Sequence, residues 1–201
     1  MINLNPQRKK LRLQGYDYAL SGGYFVTVCA NQHGNAFGVV DGGEVVLNEI
    51  GKMVRDCWLE TPNHYPNVIL DEFIVMPDHF HGILFITEPN VGERHASPVK
   101  HSRVIDTHSH PGENEKKRAT HASPLQDGKI EKPISLGVII GSFKSAVTRK
   151  NNLMRKTPGK KLWQRGYHDR IIRNEAELNQ IRHYVINNAI KQEQLEIFNQ
   201  I

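Results

Sequence analysis

Two apolar segments, residues 68–76 and 80–86, lie mid-chain with only Pro77-Asp78-His79 between them. So short a spacer makes them adjacent strands or one long, bent strand, and either arrangement puts them at the centre of a sheet. The other elements have to be arranged around that centre.

Upstream, residues 22–30 (Gly-Gly-Tyr-Phe-Val-Thr-Val-Cys-Ala) are β-branched and aromatic enough for a buried strand. Residues 36–47 read as a hairpin about Asp41-Gly42-Gly43. Asn48 caps a helix expected to run to about Glu60, with Ile50, Met53, Val54 and Trp58 near helical spacing, and Thr61-Pro62-Asn63 ends it. Downstream, Ser135 begins a helix through Ile139, Ile140, Phe143 and Val147 to about Asn151. A loop with Pro158-Gly159 and a short strand at 169–173 follow. Asn174, with Glu177 three positions on, then caps one last helix, whose apolar stripe is Leu178, Ile181, Val185 and Ala189. This order predicts an α+β sandwich: a central antiparallel sheet with helices mainly on one face.

Residues 88–133 break the pattern, being polar, mixed in charge and without apolar periodicity. They read as a disordered insertion in a single domain spanning 1–201. Five of the eleven histidines fall there, His95, His101, His108, His110 and His121, but ligands on an unordered segment lack the fixed geometry of a metal site. Cys29 and Cys57 sit in different elements and read as buried thiols rather than a disulfide framework. No run approaches membrane-spanning length and the start has no apolar signal stretch, so a soluble, cytoplasmic protein is expected.

The net charge of +5 invites a polyanion, and its distribution says where. Between Lys144 and Arg173 the cations include Lys144, Arg149, Lys150, Lys160, Lys161, Arg165 and Arg170, while Asp169 is the only carboxylate. Trp163 and Tyr167 lie among them, and aromatic groups between cations can stack on unpaired bases. The segment is expected to bind single-stranded or hairpin DNA. Its plainer reading is a solvated basic face.

In a strand, His79 and His81 project to one side and can turn two imidazoles toward one ion while Phe80 faces the core. Chance supplies such a spacing easily, as His108-Ser109-His110 illustrates, so the rigid setting beside a turn carries the assignment. On the last helix Tyr184 and Asn188 are four apart and share a face. An amide oxygen with two imidazoles suits a divalent ion, Mg2+ or Mn2+, and the nitrogen donors favour Mn2+. Such an ion polarises a phosphate oxygen while the phenol attacks phosphorus. Tyr16, Tyr18, Tyr24, Tyr65 and Tyr167 have no comparable partner at helical spacing.

Taken in order, Val75-Met76-Pro77-Asp78-His79-Phe80-His81-Gly82, Gly141-Ser142-Phe143-Lys144-Ser145, the stretch from Leu162 to Arg173, and Tyr184-Val185-Ile186-Asn187-Asn188 resemble the single-tyrosine transposases of the HUH superfamily. The nearest likeness is to the REP-associated tyrosine transposases, and it spans about 8–192 without the insertion. It implies a ferredoxin-like sheet, His79 and His81 as metal ligands, Asn188 as the third, Tyr184 as nucleophile, and a covalent 5′-phosphotyrosine with single-stranded DNA. Two positions depart from the family pattern. Ala189 stands where proline is common, leaving Asn187 as a competing ligand, and Asp78 stands where asparagine is common, with alternation pointing it away from the metal.

Three rivals remain at this level: a non-catalytic nucleic-acid-binding protein using the 144–173 surface, a metal-dependent phosphodiesterase that uses water, and an interaction protein organised by the insertion. A homodimer is compatible with the sequence, which leaves the target hairpin open.

Overall fold

The computed structural model describes residue 13 and residues 15–32, 34–88 and 134–198. The expected insertion lies outside the described residues apart from Glu88 at its edge. The elements are β1 (Gly22–Cys29), β2 (Gly38–Asp41), β3 (Glu44–Leu47), α1 (Glu49–Leu59), α2 (Thr61–His64), β4 (Val68–Val75), β5 (His79–Ile86), α3 (Leu136–Arg155), β6 (His168–Ile172), α4 (Glu175–Ile186) and α5 (Asn188–Phe198).

Residues 68–76 and 80–86 are two antiparallel neighbours, joined by the turn at Pro77-Asp78, not one bent strand. β1 pairs with β5 on one side and β6 on the other, so the sheet order is β4-β5-β1-β6 with every pair antiparallel. Leaving aside the β2–β3 hairpin, which forms its own two-stranded sheet, the chain runs strand, α1, strand, strand, α3, strand. That is a ferredoxin-like sandwich.

Alternation assigns the two faces. Tyr24, Val26, Val28, Phe80 and Leu84 enter the main core with Val54, Cys57 and Trp58 of α1 and Ile139, Ile140, Phe143 and Val147 of α3. Gly82 belongs to this face for a steric reason: a Cβ there would come within 2.8 Å of the Trp58 ring. The opposite face carries a smaller cluster, in which Ile83 packs with Leu178, Ile181 and Val185 of α4. β5 starts at the His79 end of the sheet. At its other end Thr87 N–H bonds to Asn67 O and Leu136 N–H to Tyr18 O, at 2.8 and 2.9 Å.

Two helices differ from the sequence expectation. α3 runs past Asn151, which turns inward and is buried, and stops in a Schellman arrangement: Thr157 N–H bonds to Asn152 O at 2.9 Å and Lys156 N–H to Leu153 O at 3.3 Å. Lys156 takes φ 54° to close it, a conformation that disfavours any residue with a Cβ. Lys156→Gly is expected to stabilise the fold by about 0.5–1 kcal/mol, the relieved strain exceeding the added chain freedom, as read from urea unfolding midpoints. The expected single last helix is two, because it breaks at Asn187, whose side chain donates to His183 O at 2.8 Å. Side-chain amides compete in this way with the backbone ladder.

Candidate active site

β5 opens with His79, and its alternation leaves His79 and His81 on the α4 side while Phe80 is fully buried in the main core. The two imidazoles have centroids 4.6 Å apart at 76°. Register supplies the first partner, since Thr27 of β1 lies directly across from His81, and Thr27 Oγ1 and His81 Nδ1 are 2.8 Å apart. Asp78 supplies the second, at 2.7 Å from His79 Nδ1. Alternation had pointed Asp78 away, but it precedes the strand, in the turn, where alternation does not apply. With both Nδ1 atoms engaged, the Nε2 atoms are the ones left to bind, the usual arrangement of oriented metal-binding histidines.

His81 is 4% exposed. Burial, and then the neighbouring His79, lower its pKa to about 3, so the ring is neutral at ordinary pH with a lone pair to offer. The folded chain therefore refuses a proton that the unfolded chain accepts, and this site's contribution to stability falls as pH drops from the ordinary histidine range toward 3.

Tyr184, near the end of α4, puts its hydroxyl 3.4 Å from His81 Nε2, the far limit of a hydrogen bond. Phe25 stacks on His81 at 5.3 Å and meets the Tyr184 ring edge-on at 6.1 Å. Lys191 Nζ lies 5.7 Å from the Tyr184 ring centre. Asn188 is buried at the start of α5, and no hydrogen bond among the described residues ties it to either histidine or to Tyr184. It does not share one uninterrupted helix with Tyr184, as its spacing had suggested. Among the described residues no group of three or more His, Cys, Asp or Glu side chains is placed to hold a metal ion. Cys29 pairs across from His79, but burial first, and Asp78 after it, push its thiol up and keep it protonated.

No family model matches the sequence. A Haemophilus influenzae protein, described only as an uncharacterized protein, is 33% identical over 194 residues, 95% of this chain and 93% of that one. The two chains belong to one family. The fold of this family member is also that of a solved REP-associated tyrosine transposase bound to a REP hairpin, with a TM-score of 0.51 at 15% identity, over 90% of this chain and 73% of that one.

In this family member the basic segment is less uniform than its sequence. Arg149, Lys160, Lys161 and Arg165 are exposed. Arg170, also exposed, bonds through Nε to Glu177 at 2.7 Å, and Lys150 pairs with Glu60 at 3.1 Å. Lys144 is a strut: its ammonium donates to Gln164 O and Gly166 O at 2.8 and 2.6 Å, shaping the loop that presents Arg165. Trp163 corrects the stacking expectation. It is 6% exposed, packs on Phe37 and Phe143, and donates from Nε1 to Lys144 O. Its flanking residues extend the sheet, with Asn31 N–H to Leu162 O and Gln164 N–H to Cys29 O. A core tryptophan offers no face to a base, so Trp163→Ala is expected to lower folding stability by about 3–5 kcal/mol. Denaturant unfolding reads this directly, and a stable, normally folded variant with weak DNA binding would return Trp163 to the surface role.

The sequence did not disclose Thr27, Phe25 or Lys191 as members of this site, and it put Asp78 beside the site but pointing away from it. For Thr27 and Phe25 the missing signal was strand register. For Asp78 it was adjacency to His79, already visible but read by the wrong periodicity.

Proposed function

We propose that the chain is a transposase-like enzyme that cuts and rejoins single-stranded DNA at hairpins, with Tyr184 as nucleophile. The observation that carries this reading is the approach of the Tyr184 hydroxyl to His81 Nε2, at 3.4 Å beside His79, on a fold shared with a hairpin-binding transposase. The phenolic oxygen attacks phosphorus, the bond from phosphorus to the 3′ oxygen breaks, and that oxygen leaves as a hydroxyl. The 5′-phosphotyrosine retains the bond energy for rejoining, when a 3′ hydroxyl attacks and the phenol leaves.

His79 and His81 fit a divalent ion, because both Nδ1 atoms are held by Thr27 and Asp78. Mg2+ or Mn2+ bound there, with Asn188 or Asn187 as a further ligand, would supply polarisation of a phosphate oxygen. Thr27 and Asp78 orient the imidazoles, and burial keeps His81 neutral. Arg149, Lys160, Lys161 and Arg165 hold the DNA backbone, and we read residues 1–201 as one domain with an insertion at 88–133.

The test is denaturing electrophoresis after incubation with Mn2+ and a panel of end-labelled hairpins carrying single-stranded flanks. Label is expected to travel with the protein. Cleavage without attachment would indicate attack by water, and a native gel shift without cleavage would indicate a binding protein.

A further inference from the structure

α4 carries Tyr184 across a sheet face to which it is tied at both edges. At the β6 edge, Glu177 accepts from Arg173 N–H at 2.9 Å and Arg170 Nε at 2.7 Å. At the β4 edge, Arg182 forms a two-pronged pair with Asp71, Nε to Oδ1 at 2.9 Å and Nη2 to Oδ2 at 2.5 Å. Asp71 is in place because β4 is irregular there: Leu70 pairs with Leu84 but Phe73 with Gly82, so two residues of β4 oppose Ile83 alone. The extra residue returns Phe73 to the main core and leaves Asp71 and Ile74 toward α4. The Asp71 carboxylate is further oriented by Glu72 N–H at 2.7 Å.

The apolar seam beneath α4 sets Leu178, Ile181 and Val185 on Ile83, with Phe25, Ile74, Phe85 and Ile172 packed around them. Apolar contact has no preferred direction, and a slide of one residue along a helix moves every side chain by about 1.5 Å with a turn of about 100°. The Tyr184 hydroxyl could not stay within 3.4 Å of His81 through such a slide. A bidentate guanidinium–carboxylate pair fixes both distance and angle, and Arg182 is only two residues from Tyr184. We propose that Asp71 and Arg182 are positioning residues for the Tyr184 chemistry, holding α4 at the setting that brings the phenol to the histidines. This rests on the reading of Tyr184 as nucleophile given above.

The test compares Asp71→Asn and Arg182→Lys with Val147→Ala, a main-core change away from α4, in the full chain. With saturating hairpin and Mn2+, adduct formation in a single turnover is expected to slow by about 10- to 100-fold in the first two variants. Hairpin affinity should stay within about twofold, because only geometry at the nucleophile is lost. Val147→Ala lowers the melting temperature but should leave the rate of its folded fraction unchanged. The second readout needs no activity: in protein labelled with 3-fluorotyrosine, the 19F resonance that disappears in Tyr184→Phe should shift or broaden in Asp71→Asn and stay put in Val147→Ala. Wild-type adduct rates in both clamp variants, or an equal slowing in Val147→Ala, would overturn the proposal. If the wild-type chain makes no adduct at all, the nucleophile reading fails and the catalytic part of the proposal with it; the 19F resonance then separates the two failures, since movement in Asp71→Asn shows that the pair still sets Tyr184 against the histidines and an unmoved signal ends the clamp as well.

Discussion

Tyr184→Phe is expected to abolish the covalent protein–DNA product of the proposed reaction while leaving the hairpin bound. The substitution removes one oxygen, which approaches His81 Nε2 at 3.4 Å, and keeps the ring against Phe25. Tyr184 is also 40% exposed, so little packing depends on the hydroxyl. The melting temperature should therefore change by no more than about 3 °C, the effect of one weak hydrogen bond. Without the phenolic oxygen no phosphotyrosine can form at this position, and because a positioned nucleophile supplies a very large effective concentration that bulk water does not match, strand cleavage is expected to fall at least about 1,000-fold. Peptide mapping of the wild-type adduct should place the DNA on Tyr184. An adduct mapped to Tyr167 or Tyr16 would reassign the chemistry.

The second large effect is expected on Mn2+ binding at the proposed site. His79→Ala and His81→Ala each remove an imidazole from a set whose other candidate member is an amide. Loss of an orienting partner alone weakens metal binding by about 10- to 100-fold, and loss of a ligand should exceed that. Thr27→Val, which removes only the oxygen 2.8 Å from His81 Nδ1, is the milder comparison and should fall in the 10- to 100-fold range. Calorimetric titration with Mn2+ measures all three, with adduct yield in parallel. Full adduct formation in chelator, or unchanged Mn2+ affinity in both alanine variants, would take the metal out of the mechanism.

Much of the scaffold was legible because its signals are local. Asn48 caps α1 by accepting from Ile50 and Gly51 N–H, and Asn174 caps α4 by accepting from Glu177 N–H, as their sequence positions suggested. The alternation around His-Phe-His gave the correct face for each histidine before any pairing was known. The break at Asn187 was not legible, because the apolar stripe Leu178, Ile181, Val185, Ala189 continues through it: all four are buried. Side-chain period does not record a backbone interruption. The sequence does not show where a cation has a partner distant in sequence, as Lys150 has with Glu60 and Lys144 with two loop carbonyls. Trp163 was misread because neighbouring lysines and arginines look the same whether they surround an exposed ring or a core ring at the surface edge. Leu162 beside it was the one apolar hint.

The direction of β5 has a practical consequence. His79 begins the strand and Ile86 ends it, about 24 Å away at strand rise. The chain leaves the sheet just after Thr87 and returns just before Leu136, and both points are fastened by backbone hydrogen bonds at the end remote from the histidines. A reporter protein or affinity handle grafted between those two fastenings would ride at the back of the sheet. The chain could then be followed or immobilised with the end of the sheet that carries His79 and His81 facing outward.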